Sequence, residues 1–218
     1  MSLKFLFANI LLFCLSNAAA QYSQEDWEDR DTWMNVSEIF DFAGIEKGNQ
    51  VADIGCHEGY LSFHLSKRVG ESGKVFAVDV EGYRLEKLKQ YAKVRKVRNI
   101  EVILGDYDNP KLPKGSLDVV IVMDTYHEID GYMEVLGHIK KALKPSGKVL
   151  ILEKLKEQKR GKSREEQARG HTLSSKYVKE ELKQAGFTVT KEVKDFGDWQ
   201  ENEEKQMWIV VAEQTPTG

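Results

Sequence analysis

The chain has 218 residues, 41% of them hydrophobic, which suits one globular domain with a sizeable core. Its 32 basic and 35 acidic residues leave a net charge of −3, which argues against a polyanion-binding surface as its main business. After residue 20 the sequence shows no repeat, no low-complexity tract and no apolar run long enough to span a bilayer.

The first twenty residues differ from the rest. Lys4 gives a basic start, Phe5–Leu15 is an apolar run, and Ala18-Ala19-Ala20 offers a small-residue cleavage site before Gln21. This pattern predicts a secretory signal peptide over 1–20, hence a periplasmic or extracellular product without stable membrane insertion. Phe13 before Cys14 is too bulky for a lipoprotein signal. Cleavage removes Cys14 and leaves Cys56 as the sole thiol, so no intramolecular disulfide can form. Residues 21–49 read as an N-terminal cap segment, and 50–218 as the main domain. In the cap, Trp27 and Trp33 stand either across a ligand mouth or packed on a sheet edge. Asn35-Val36-Ser37 fits a glycosylation sequon, but a helix N-cap is preferred, with Val36, Ile39, Phe40 and Ala43 as the apolar stripe of a short helix.

A regular alternation follows. Strands are predicted at Val51–Ile54, Lys74–Val80, Ile100–Leu104, Leu117–Met123 and Lys148–Leu152. Helices are predicted at Tyr60–Val69, Tyr83–Val94, Met133–Leu143 and Lys176–Ala185, the last stopped by Gly186. The basic run from Lys87 to Arg98 reads as a solvated face rather than a nucleic-acid surface. Phe187–Val193 and Met207–Ala212 are two successive strands with no helix between them, so the alternation ends in a hairpin. Glu153–Arg169 is charged and contains glycine, which predicts a solvated stretch or a substrate lid.

The chemistry concentrates in Val51–Tyr60, VADIGCHEGY, and in VFAVDV with Asp79 twenty residues after Gly59. Gly55 allows a sharp turn out of the first strand, and Gly59 allows close approach of the backbone to a ligand or neighbouring strand. Asp79, at the end of the second strand, is placed to accept hydrogen bonds from ribose hydroxyls. A dinucleotide fingerprint would need glycine where His57 and Tyr60 stand. Asp53-x-Gly55-x-x-x-Gly59 instead resembles motif I of the class I S-adenosylmethionine-dependent methyltransferases. With the terminal hairpin, the resemblance covers about Val36 to Glu213.

That resemblance implies a Rossmann-like α/β fold. Its seven-stranded sheet would carry helices on both faces and a C-terminal antiparallel hairpin, the last strand inserted beside strand 5. It implies S-adenosyl-L-methionine as cofactor and a small-molecule acceptor. Asp53 would help bind the cofactor's ammonium group, directly or through water, with Gly55, Cys56 and Gly59 forming the loop. Asp79 and Val80 would sit at the ribose. Asp106 would take the adenine amino group, with the backbone of Tyr107 at the ring edge; otherwise Asp106 starts a turn toward Asp108, Asn109 and Pro110. Asp124-Thr125-Tyr126-His127-Glu128 falls at the motif IV position without the Asn/Asp-Pro-Pro signature of enzymes acting on exocyclic or amide nitrogens. Asp124 would touch the methionine end of the cofactor or orient substrate, and Tyr126 or His127 would receive a proton. His127 as a hydrogen-bonded loop residue is the competing reading, and His171 is a weaker candidate. His64 reads as a helix-face residue. The five histidines and Cys56 show no metal-ligand spacing. His57, in place of a common glycine, would narrow the pocket. A non-catalytic exported binder on the same scaffold and an aminopropyl-transferring enzyme are the alternatives. Oligomeric state is not legible.

Overall fold

The computed structural model describes residues 24–215; the signal peptide expected over 1–20 lies outside them. Seven strands form a single sheet in the order β3-β2-β1-β4-β5-β7-β6. They are β1 (Gln50–Ile54), β2 (Lys74–Asp79), β3 (Ile100–Leu104), β4 (Leu117–Met123), β5 (Leu143–Lys156), β6 (Phe187–Val193) and β7 (Lys205–Gln214). β1 to β5 run parallel, whereas β7 is antiparallel to both β5 and β6. The strand order reverses between β1 and β4, which opens a crevice at the carboxyl ends of the parallel strands.

Successive strand residues face opposite sides of a sheet, so a sheet covered on both faces needs near-continuous apolar strands. β4 and the centre of β7 satisfy this. Val51, Val75, Val119, Ile121, Leu150 and Ile209 face one layer, together with α1 (Trp27–Trp33), α2 (Val36–Ala43) and α3 (Tyr60–Val69). Ala52, Phe76, Val120, Val122, Ile151 and Val210 face the other. There they meet α5 (Tyr132–Ala142) and α7 (Ser175–Gln184), after α4 (Gly82–Val94) and α6 (Arg164–Ala168) in chain order. Among the described residues no helix is long and apolar enough to cross a membrane.

The tryptophans of the cap segment pack. Trp27 lies against Tyr60, Phe63 and Tyr91 with ring centroids 5.6–6.0 Å apart, and Trp33 packs at a tilt 5.0 Å from Trp199. Asn35 caps α2 by accepting from the Glu38 amide at 3.3 Å, as the capping reading expects. His64 sits on its helix face 3.1 Å from Asp31.

Two elements depart from the sequence reading. β5 begins earlier than expected, at Leu143, which pairs with Leu117 of β4, and ends later, because nine residues of it, Lys148 to Lys156, pair with β7. The stretch after it is not simply solvated. Ser163 and Glu166 form a capping box that starts α6, and Gln167 is buried with its amide bonded to Lys159 and Lys162 carbonyls.

Candidate functional site

A cavity of about 410 Å³ occupies the crevice. Ile54 and Gly55 from β1, Val78 and Asp79 from β2, and Asp124 and Thr125 after β4 form its floor and walls. Gly55 turns out of the strand at φ 78°, with its amide bonded to the Val78 carbonyl at 2.8 Å. A Cβ there would stand 2.3 Å from the Thr125 hydroxyl, so only glycine lets the two loops close together.

Asp79 is buried at the mouth of this turn. One carboxylate oxygen accepts from the His57 amide at 2.8 Å and the other from the Glu81 amide at 2.9 Å. A carboxylate offers about four lone-pair positions, so two remain for hydroxyls of a ligand. Val80, Asp106 and Tyr107 also line the cavity, Tyr107 being largely exposed at its rim. Asp106 takes the turn position that is one of its two expected readings. It closes a turn with Asn109, pairs with Lys111 at 2.7 Å, and still faces the cavity. His57 lines the wall and contributes its backbone, so it shapes the loop as well as narrowing it.

Five of the expected site residues do not reach the cavity wall. Asp53 is 2% exposed and accepts from Ser62 at 2.6 Å, behind the loop. Burial is the largest influence on its carboxyl; with nearby Asp79 it outweighs the Ser62 hydrogen bond and Arg30, pushing the pKa up to about 6. Cys56 packs with Ala77, Leu85 and Leu88. Gly59, at φ 102°, makes room for a helix and not for a ligand, since a Cβ would meet Leu88 at 2.9 Å. Tyr126 is fully buried and donates its hydroxyl to Glu181 at 2.9 Å. Burial and the Glu181 carboxylate hold that hydroxyl protonated, so Tyr126 is no proton acceptor.

His127 also corrects the expectation of a neutral base. Its Nδ1 lies 3.0 and 2.9 Å from the two oxygens of Glu153, and its Nε2 lies 3.6 Å from Glu128. Burial disfavours the charged ring, but the Glu153 and Glu128 carboxylates with Asp124 push its pKa up to about 10. The ring is therefore a held imidazolium at neutral pH. Next to it, Asp124 adopts a left-handed φ of 51° and forms a buried ion pair with Lys154, whose ammonium lies 4.4 Å from the Trp199 ring centroid. Sequence reading missed Glu153 and Lys154, which carry no motif and stand in a charged run.

The elevated Asp53 pKa has a measurable consequence. A carboxyl at 3.8 when unfolded and about 6 when folded contributes stability in its neutral form below pH 4, and loses it as pH rises through 6. The loss is roughly 3 kcal/mol at 1.36 kcal/mol per unit. Urea midpoints of the wild type should fall between pH 4.5 and 7.5 by more than those of Asp53→Asn, which does not titrate. Equal pH slopes in the two proteins would refute the assignment.

A seven-stranded sheet with this strand order and a buried acid beside a glycine turn at its switch point is the architecture of the methyltransferase fold. A family model described as a methyltransferase domain matches residues 45–208, and the chain belongs to that family. The demethylmenaquinone methyltransferase of Lactococcus lactis subsp. lactis is 31% identical over 137 residues, 63% of this chain and 52% of that protein. That of Geobacillus sp. is 30% identical over 109 residues, 50% and 47% of the two chains. The chain thus spans about half the length of the curated relatives it matches. Among solved structures, an S-adenosylmethionine-dependent methyltransferase from Aquifex aeolicus superposes with a TM-score of 0.74 at 24% identity, over 89% of this chain and 97% of that one. The geranyl diphosphate C-methyltransferase of Streptomyces coelicolor, in complex with S-adenosyl-L-homocysteine, gives 0.68 at 12% identity, over 83% and 78%.

Proposed function

We propose that this protein transfers a methyl group from S-adenosylmethionine, bound in the cavity, to a small-molecule acceptor. The observation that carries the reading is the charge and placement of the cavity lining. Five acids line it, of which Asp106 and Asp124 are paired with Lys111 and Lys154 and Glu128 lies 3.6 Å from His127, so the remaining acids are Asp79 and Glu81, beside Arg84. An acid-rich pocket repels a dinucleotide's pyrophosphate and favours a cationic sulfonium over its neutral thioether product. The cofactor supplies an activated methyl group on a sulfonium sulfur. The chain's part is to align it and exclude water. Asp79 fixes the ribose, Ile54, Val78 and Val80 give an apolar surface to the adenosine, and the Gly55–Thr125 contact closes the floor. An acceptor lone pair then forms the new bond to the methyl carbon while the sulfur keeps the electron pair of the broken one. Any acceptor proton passes to solvent.

The test is a screen of thiols, phenols, amines, carboxylates and quinols for release of S-adenosylhomocysteine. Demethylmenaquinone, which the curated relatives' names specify for them, belongs in it. Turnover with any acceptor supports the proposal. Cofactor binding with a silent screen would favour a non-catalytic binder. Export is part of the same proposal, on the strength of the residue 4–20 pattern. Protein purified from its host for the screen should begin at Gln21, and an intact Met1 would remove that part.

A further inference from the structure

His127, Glu128 and His171 come together beside the cavity, of whose wall Glu128 is part, although 43 positions separate Glu128 from His171 in the sequence. We propose that these three residues form a binding site for a divalent transition-metal ion. The ligand atoms are His127 Nε2, which gives its imidazolium proton to solvent as the ion binds, His171 Nδ1 and the Glu128 carboxylate, and all lie within 4.8 Å of one another. One Glu128 oxygen stands 3.6 Å from His127 Nε2 and 3.4 Å from His171 Nδ1. Tetrahedral ligands at zinc distances of about 2.0–2.1 Å are about 3.3 Å apart, so both pairs are near coordination spacing before any ion enters.

A second feature, outside the triad, points the same way. Glu153, fully buried on β5, holds His127 Nδ1 with both oxygens and its backbone amide with one of them at 3.1 Å. This is the carboxylate–histidine arrangement that fixes ring orientation and tautomer in metal sites and turns the other nitrogen toward the ion. The two rings meet edge to face, centroids 5.9 Å apart at 86°. The His127 side chain is 2% exposed, Glu128 59% and His171 68%, which gives one rigid anchor and two adaptable ligands. Two imidazoles and one carboxylate leave coordination positions open, as sites that bind an exogenous ligand do.

Glu128 also lines the cofactor cavity, so the ion would sit on its wall. Resting on the methyltransferase reading, this narrows the acceptor class to molecules with an ionisable oxygen or sulfur. A hydroxyl or thiol coordinated there gives its proton to solvent and is held as the anion that attacks carbon.

Calorimetric titration of chelator-treated full-length protein with zinc chloride alone tests the site. One equivalent should bind with a Kd below about 10 μM. His171→Ala, at an exposed position, should weaken it at least about 100-fold, since loss of an outer-shell partner alone costs 10- to 100-fold. Glu153→Gln, a positioning change, should weaken it by that smaller factor if the variant folds. No binding by the wild type at 200 μM zinc, or equal binding by His171→Ala, overturns the proposal. Binding of S-adenosylhomocysteine to the metal-free protein is measured separately. Its absence with zinc binding intact would remove the methyltransferase reading and leave the metal site standing.

Discussion

Replacing Lys154 by alanine should lower the unfolding free energy by about 3–5 kcal/mol, and the Tm by roughly 6–20 °C. The cause is the carboxylate left behind. Both side chains of the Asp124–Lys154 pair are almost wholly removed from solvent, at 0% and 6% exposure, so alanine leaves a buried charge without its counter-ion. The Trp199 ring also loses the cation lying over it. Asp124→Ala should cost a similar amount by stranding the ammonium. The double replacement Asp124→Asn with Lys154→Met should recover most of the loss, because it removes both buried charges and asparagine tolerates the left-handed backbone at 124. The three variants and the wild type form a double-mutant cycle read by urea unfolding. A single-variant loss under 1 kcal/mol would show that solvent from the cavity relieves the stranded charge.

Asp79→Ala should weaken binding of S-adenosylmethionine and its demethylated product by roughly ten- to hundredfold, about 1.5–3 kcal/mol. Two losses combine. The ribose loses a charged acceptor, and the His57 and Glu81 amides lose the carboxylate that holds their loops. Asp79→Asn keeps one acceptor oxygen and should fall between. Calorimetry on folded protein decides it, and an affinity within twofold of the wild type would mean that Asp79 is only a loop organiser.

The elements that depend on local pattern are legible in the amino-acid sequence. β3, β4, α3 and β6 have the boundaries that hydrophobic periodicity and turn residues predict. Glycine at 55 and the acid at 79 mark the switch point because each meets a local demand, a left-handed turn and a strand-end acceptor. The hairpin is likewise visible as two strands without a helix between them.

Which side of a loop faces the cavity is not legible there. Gly59 and Cys56 carry the same motif as Gly55, yet they face Leu88 and the helix layer. In Tyr126-His127-Glu128 only the last lines the cavity, because a 3-10 turn sends the tyrosine toward Glu181 and the histidine toward Glu153. Charge pattern fails most at Glu153 and Lys154. A charged run normally marks a solvated face, yet the β7 pairing carries β5 onward and buries both residues. Their partners, His127 and Asp124, come from the end of β4, in contact only once the strands are adjacent. By itself the sequence determined the order of strands and helices and the acid beside the glycine turn, since these follow from residue type and near neighbours. Tertiary structure alone decided which charges are buried, protonated and paired, because burial and counter-ions come from residues distant in the chain.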